Sequence, residues 1–264
     1  MSKIISLLGA ILTLMVSVAV ESNTFELPSD MRFIGAVVDT TPSWQWHVDA
    51  AQRRTSDWDA QKREGIKEAD GVTRFTYSAK NGLDKIAFIQ GSMKMPGSFG
   101  RKELLPRVTI LEASGRRLML NGNVEPQPAS ITATGVLRNG RTTKGMLSLV
   151  IESAYAVQYK LRGDEQNIYR LSYQGDIGEV AAGIINQHLL AEYAHNERGI
   201  KMTSVDRRVD SGYDIASVLG GETTPVKAYA ILGSFTSYVG QINTLWLDVP
   251  ETWTATLTAE VQFQ

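Results

Sequence analysis

WTATLTAEVQFQ, residues 253–264, closes the chain, and its reading decides the fold. Trp253, Ala255, Leu257, Ala259, Val261 and Phe263 are apolar, and every residue between them is polar. That period of two marks a strand with one buried and one wet face. The threonines, with Leu, Val and Phe, suit a pleated surface. The alternation continues to the last residues, where chain ends usually fray unless they are tied down. Such a strand either closes a sandwich or serves as a handle that another chain reads by adding a strand beside it.

A second alternating stretch lies near the other terminus, in DMRFIGAVVD. Met31, Phe33, Gly35 and Val37 share one face there, with Ile34 and Ala36 on the other. Gly35 weakens an ordinary strand but suits close approach of another backbone or a large side chain. Further on, WQWHV places Trp44, Trp46 and Val48 in one phase. Short strands are then expected at VTRFTYSA, with DKIAFIQGSM as its hairpin partner across Asn81-Gly82. RVTILEASGRRLMLNG reads as a hairpin turning at Ser114-Gly115. ITATGVL, GMLSLVIESAYAVQYKL, IYRLSYQG, VKAYAIL and INTLWLDV continue in the same style. Strands at intervals of about ten residues, bounded by Gly, Asn and Pro, predict an antiparallel sandwich or barrel. Residues 53–71 are charged and aperiodic and read as an exposed loop. The one predicted helix lies within 178–198, where Val180, Ile184, Ile185, His188 and Leu189 share a broad face and Gly199 offers a stop.

The 264 residues carry 27 basic and 28 acidic side chains, a net charge of −1. Nothing in that balance asks for nucleic acid or an anionic membrane. Residues 1–22 read as a secretory signal peptide: Lys3 supplies the positive start, Ile4 to Val20 the apolar run, and Ser17, Ala19 and Ser22 small residues for cleavage near 19–22. No second apolar run of that length follows, so no membrane span is expected after processing. There is no cysteine. For an exported chain this excludes disulfide staples, thiolate catalysis and cysteine-ligated metal.

Catalytic and metal constellations are weak. His188, Glu192 and His195 stand at i, i+4 and i+7, yet the apolar residues around His188 favour a partly buried histidine over a metal ligand. No G-x-S-x-G elbow is present. Asp57 and Asp59 read as a solvated pair rather than as glycosidase acids. The expectation is no enzyme, no metal and no cofactor.

Phe33-x-Gly35-x-Val37, the WQWHV strand, TRFTYSAKNG, the helical insertion and the alternating C-terminus occur in an order that resembles the chaperone–usher fimbrial subunits of enteric bacteria, specifically the kappa class of Fae and Fan type. Lack of cysteine fits that class, and the short spacer between Phe33 and Trp44 leans toward a minor subunit. The resemblance implies a mainly β fold, an incomplete immunoglobulin-like antiparallel β-sandwich completed by a donor strand, with one helical insertion. It divides the chain into a signal peptide (1–22), an N-terminal donor-strand extension (23–38) and a pilin-like domain (39–264). Met31, Phe33, Gly35 and Val37 would form the donor strand. Trp253, Ala255, Leu257, Ala259, Val261 and Phe263 would form the terminal strand that a periplasmic chaperone binds. The implied partners are that chaperone, an outer-membrane usher and neighbouring fimbrial subunits, with export through the periplasm to a surface fimbrium. Two rivals stand beside this reading. One is a fimbrial adhesin that binds host glycans through the helical insertion and nearby loops. The other is a self-contained secreted β-sandwich enzyme or lectin.

Overall fold

A computed structural model describes residues 35–37, 44–48, 60–77, 85–97, 100, 102–185, 203–208, 215–222 and 228–263. The strands along the chain are β1 (Gly35–Val37), β2 (Trp44–His47), β3 (Ile66–Lys67), β4 (Thr73–Tyr77), β5 (Lys85–Met93), β6 (Arg107–Leu111) and β7 (Arg117–Met119). They continue as β8 (Gln127–Val136), β9 (Thr142–Leu161), β10 (Asp164–Ser172), β11 (Thr203–Arg208), β12 (Ala228–Trp246), β13 (Thr252–Ala255) and β14 (Ala259–Gln262). Among the described residues two α-helices, α1 (Asp176–Ile184) and α2 (Ile215–Gly220), interrupt them. The fold is mainly β, with pairings that are antiparallel except at β1–β14 and β10–β11.

Two strands of 20 and 19 residues, β9 and β12, form the spine. Each is long enough to hold two neighbours end to end. At Ser234 the order across the sheet is β11-β10-β9-β12-β5-β2; at Trp246 it is β13-β8-β9-β12-β4-β3. The expected hairpin between TRFTY and KIAFIQGSM is therefore not formed: β4 and β5 lie in tandem along β12 and pair with it, not with each other. The Asn81-Gly82 turn lies outside the described residues. VKAYAIL and INTLWLDV, read as two strands, are one strand with two register shifts against β9. Ala230 (φ 54°) and Gln241 (φ 49°) sit within those shifts, where a bulge admits a backbone conformation that side chains rarely adopt.

Other expectations hold in part. β6 and β7 pair across Ser114-Gly115, and Gly115 takes φ 82° there. Of the charged stretch 53–71, the described part from 60 on is mostly exposed but not all loop: it holds a short 3₁₀ turn at 62–64, with Gln61 and Glu64 capping each other, and the two-residue strand β3. The helix begins at Asp176, two residues before its expected start, and ends at Ile184, where Ile185 turns extended; it is shorter than the helix expected within 178–198, of which residues 186–198 lie outside the described residues. β11 and α2 lie within residues 200–222, a polar, glycine-bearing stretch whose sequence carries no clear period.

β14, β6 and β7, with β1 at the edge, make a second, four-stranded sheet. It meets the large sheet through Tyr155, whose hydroxyl donates to Pro106 O at 2.6 Å and whose ring packs 5.0 Å from Phe235. α1 covers the opposite face of the large sheet, where Ser234 Oγ donates to Ala181 O at 2.5 Å. Cover on both sides explains why β9 alternates in burial up to Glu152 and is then buried at every position from Ser153 to Lys160. Gln158 pays for that enclosure: it is 0% exposed and neither amide atom has a partner among the described residues. Each such group costs about 1–3 kcal/mol. Trp246, 1% exposed, fills the space that Gly145 and Gly135 leave; a Cβ on Gly145 would stand 2.4 Å from the indole.

Glu112 follows β6 and is buried, with Arg116 donating to its carboxylate. That hydrogen bond holds the carboxyl below its usual 4.5, against the opposing effect of burial. A carboxyl with a depressed folded pKa contributes stability that is fully present above the unfolded value and is lost as pH falls through the folded one. Glu112→Gln is thus expected to lower the denaturant midpoint at pH 7, and the gap to wild type should close on acidification below the usual glutamate range. A gap that stays constant with pH would show that charge is not its cause.

Candidate functional site

The C-terminal run keeps its expected phase but not its expected continuity. Ala255, Leu257, Ala259 and Val261 are 5%, 2%, 5% and 1% exposed, whereas Thr254, Thr256 and Gln262 are exposed. Trp253 and Phe263 are half-buried. Trp253 packs against Tyr77 at 5.6 Å, and Phe263 against Trp44 at 6.3 Å. The run is nevertheless two strands in two sheets. β13 pairs with β8, Trp253 opposite Gly135 and Ala255 opposite Ala133. Residues 256–258 leave the ladder, and β14 then pairs with β6, Ala259 opposite Ile110 and Val261 opposite Val108. A strand that switches sheets at a corner can keep its inward residues facing one core while it changes neighbours. The single strand expected over Trp253 to Phe263 is therefore two, of which only Ala259–Gln262 lies in the smaller sheet.

One edge of β14 is fixed by β6. The paired residues are buried, Val108 at 0% and Ile110 at 1%, and on the outer face Arg117 donates to Glu260. The other edge carries β1. Gly35, Ala36 and Val37 run parallel to it, in register with Ala259, Glu260 and Val261. Two of the four donor-strand residues expected from sequence, Gly35 and Val37, thus lie against two of the six expected in the terminal strand. Met31 and Phe33 lie outside the described residues, as does the signal segment.

The tryptophans of β2 complete this end of the molecule. Trp44 and Trp46 stack at 5.4 Å and 16°, and Trp46 reaches Phe235 at 5.9 Å. Gly91 stands opposite Trp46 in the ladder, and a Cβ there would fall 2.5 Å from the indole. Gly233 makes similar room for Trp44 and Leu219. The alternation at 44–48 marked these rings as anchors; that Trp44 meets the C-terminal Phe263 is a contact 219 residues apart in sequence with no local signal. Neither indole N–H has an acceptor among the described residues.

No three acidic or histidine side chains among the described residues stand close enough to share a metal ion. His188, Glu192 and His195 lie outside those residues. No helix among the described residues is long and apolar enough to cross a membrane. No family model matches the chain, and no curated protein is significantly similar to it.

Proposed function

We propose that this chain is a structural or minor fimbrial subunit, exported through the periplasm and polymerised by strand donation. The observation that carries the reading is the placement of an N-terminal segment on the edge of the C-terminal strand. An unpaired strand edge is an aggregation hazard, so a chain that presents one needs a strand supplied to it. In this reading the body is an immunoglobulin-like sandwich short of its last strand. A periplasmic chaperone lends that strand beside Ala259–Gln262, and at the usher the segment 23–38 of the next subunit replaces it. Main-chain hydrogen bonds supply affinity, and alternate side chains supply specificity. No bond is made or broken.

Truncation tests this. A chain lacking residues 23–38 is expected to aggregate when expressed alone in the periplasm. It should be recovered as a one-to-one complex with a co-expressed strand-lending chaperone. It should accept a strand from an intact subunit but donate none. A truncated chain that purifies alone as a monodisperse, cooperatively melting monomer would sink the proposal.

A further inference from the structure

We propose that the outer edge of β14 is a strand-acceptor site which the chain holds closed with its own residues 35–37, so that a strand from a second copy enters only when this cap leaves. The identity of the incoming strand rests on the fimbrial reading above; the cap does not.

Three features of the molecule support a cap over a permanent strand. First, the pairing is within one chain and covers three residues, Gly35–Val37 on Ala259–Val261. It is parallel, the slightly weaker arrangement per residue, and it contrasts with the antiparallel pairing of β14 to β6 over four residues. Of the two neighbours of β14, β1 is therefore the one that can be exchanged without opening the core. Second, the register sets Gly35 opposite Ala259 and Val37 opposite Val261, so the same alternation that would serve a donor in trans is already used in cis. Third, the tether is short. Residues 38–43 join Val37 to Trp44, and Trp44 is anchored against Phe263, two positions beyond the last capped residue. A short tether holds its segment at a local concentration of about a millimolar or more. At ordinary protein concentrations the cis strand occupies the edge first, and a trans strand displaces it only by making a longer ladder. The inference is a monomer closed against premature self-assembly, opened by a partner that offers more strand than three residues.

The absence of cysteine makes a disulfide test clean. Ala36 and Glu260 are register partners, and Glu260 is only half-buried, in a surface ion pair with Arg117. Paired strands lie about 4.8 Å apart, within disulfide range. The full chain carrying Ala36→Cys and Glu260→Cys is expected to oxidise to an intramolecular disulfide in the monomer. Once oxidised, it should incorporate a labelled peptide of residues 29–40 at least about tenfold less than its reduced form does, since the tether can no longer yield the edge. Folding of both forms is checked by near-ultraviolet circular dichroism. Disulfide-linked dimers in place of the internal bond, no disulfide in a folded chain, or equal peptide uptake by both forms would overturn the cap. All of these are read on the chain without chaperone or usher. Failure of the fimbrial reading is scored separately, by the truncation experiment.

Discussion

Val261→Asp is expected to cost at least about 4 kcal/mol, enough to unfold most domains of this size. Val261 is 1% exposed, and its partner across the ladder, Val108, is 0% exposed. No basic side chain shares its inward phase in β14, where Ala259 precedes it and Phe263 follows. A carboxylate there loses its water and gains no partner, and it either stays charged at high cost or takes up a proton. The second route gives the variant a signature: its stability should improve on acidification, because a carboxyl with a raised folded pKa is less penalised when protonated. Gln262→Asp, one residue on and exposed, is expected to cost under about 1 kcal/mol. Urea midpoints of the two variants at neutral and acid pH check this. Similar midpoints would mean that β14 does not bury Val261 in solution, and the acceptor edge would then be wrong.

Trp44→Ala is expected to cost about 3–5 kcal/mol, the range for deleting a buried aromatic side chain. The ring is 4% exposed and is held by Trp46, by Phe263 and by the space over Gly233. Trp44→Phe should behave differently. It keeps an aromatic ring but removes an indole N–H that has no acceptor among the described residues. Losing an unsatisfied buried donor offsets part of the lost volume, so a cost below about 2 kcal/mol is expected. The checks are denaturant midpoints for both variants and the near-ultraviolet dichroism of the stacked indoles. Equal losses for Ala and Phe would show that the indole N–H is bonded after all.

The two expectations meet at one end of the molecule, where the first tryptophan strand, the last strand and the N-terminal segment converge. That convergence gives the proposed assembly its physical sense. In the proposed assembly a strand exchanged at β14 would lie near the rings of Trp44, Trp46 and Phe235, which pack on one another.

What the sequence determined by itself is which face of the alternating C-terminal run is buried. The phase of Ala255, Leu257, Ala259 and Val261, the turn at Ser114-Gly115 and the start of the helix near Asp176 were legible, because each depends on a few adjacent residues. Tertiary structure alone decided who pairs with whom. The terminal run reads as one strand, yet β13 joins β8 and β14 joins β6, since a period of two is unchanged when a strand crosses from one sheet to another. β4 and β5 look like a hairpin, yet both lie along β12, because a 19-residue strand offers room that no local pattern announces. The burial of SAYAVQYK on both faces depends on α1 packing from behind, and the contact of Val37 with Val261 joins residues more than two hundred positions apart. Alternation records the presence of a core; the neighbour across the ladder is chosen by chain closure and by the lengths of distant strands.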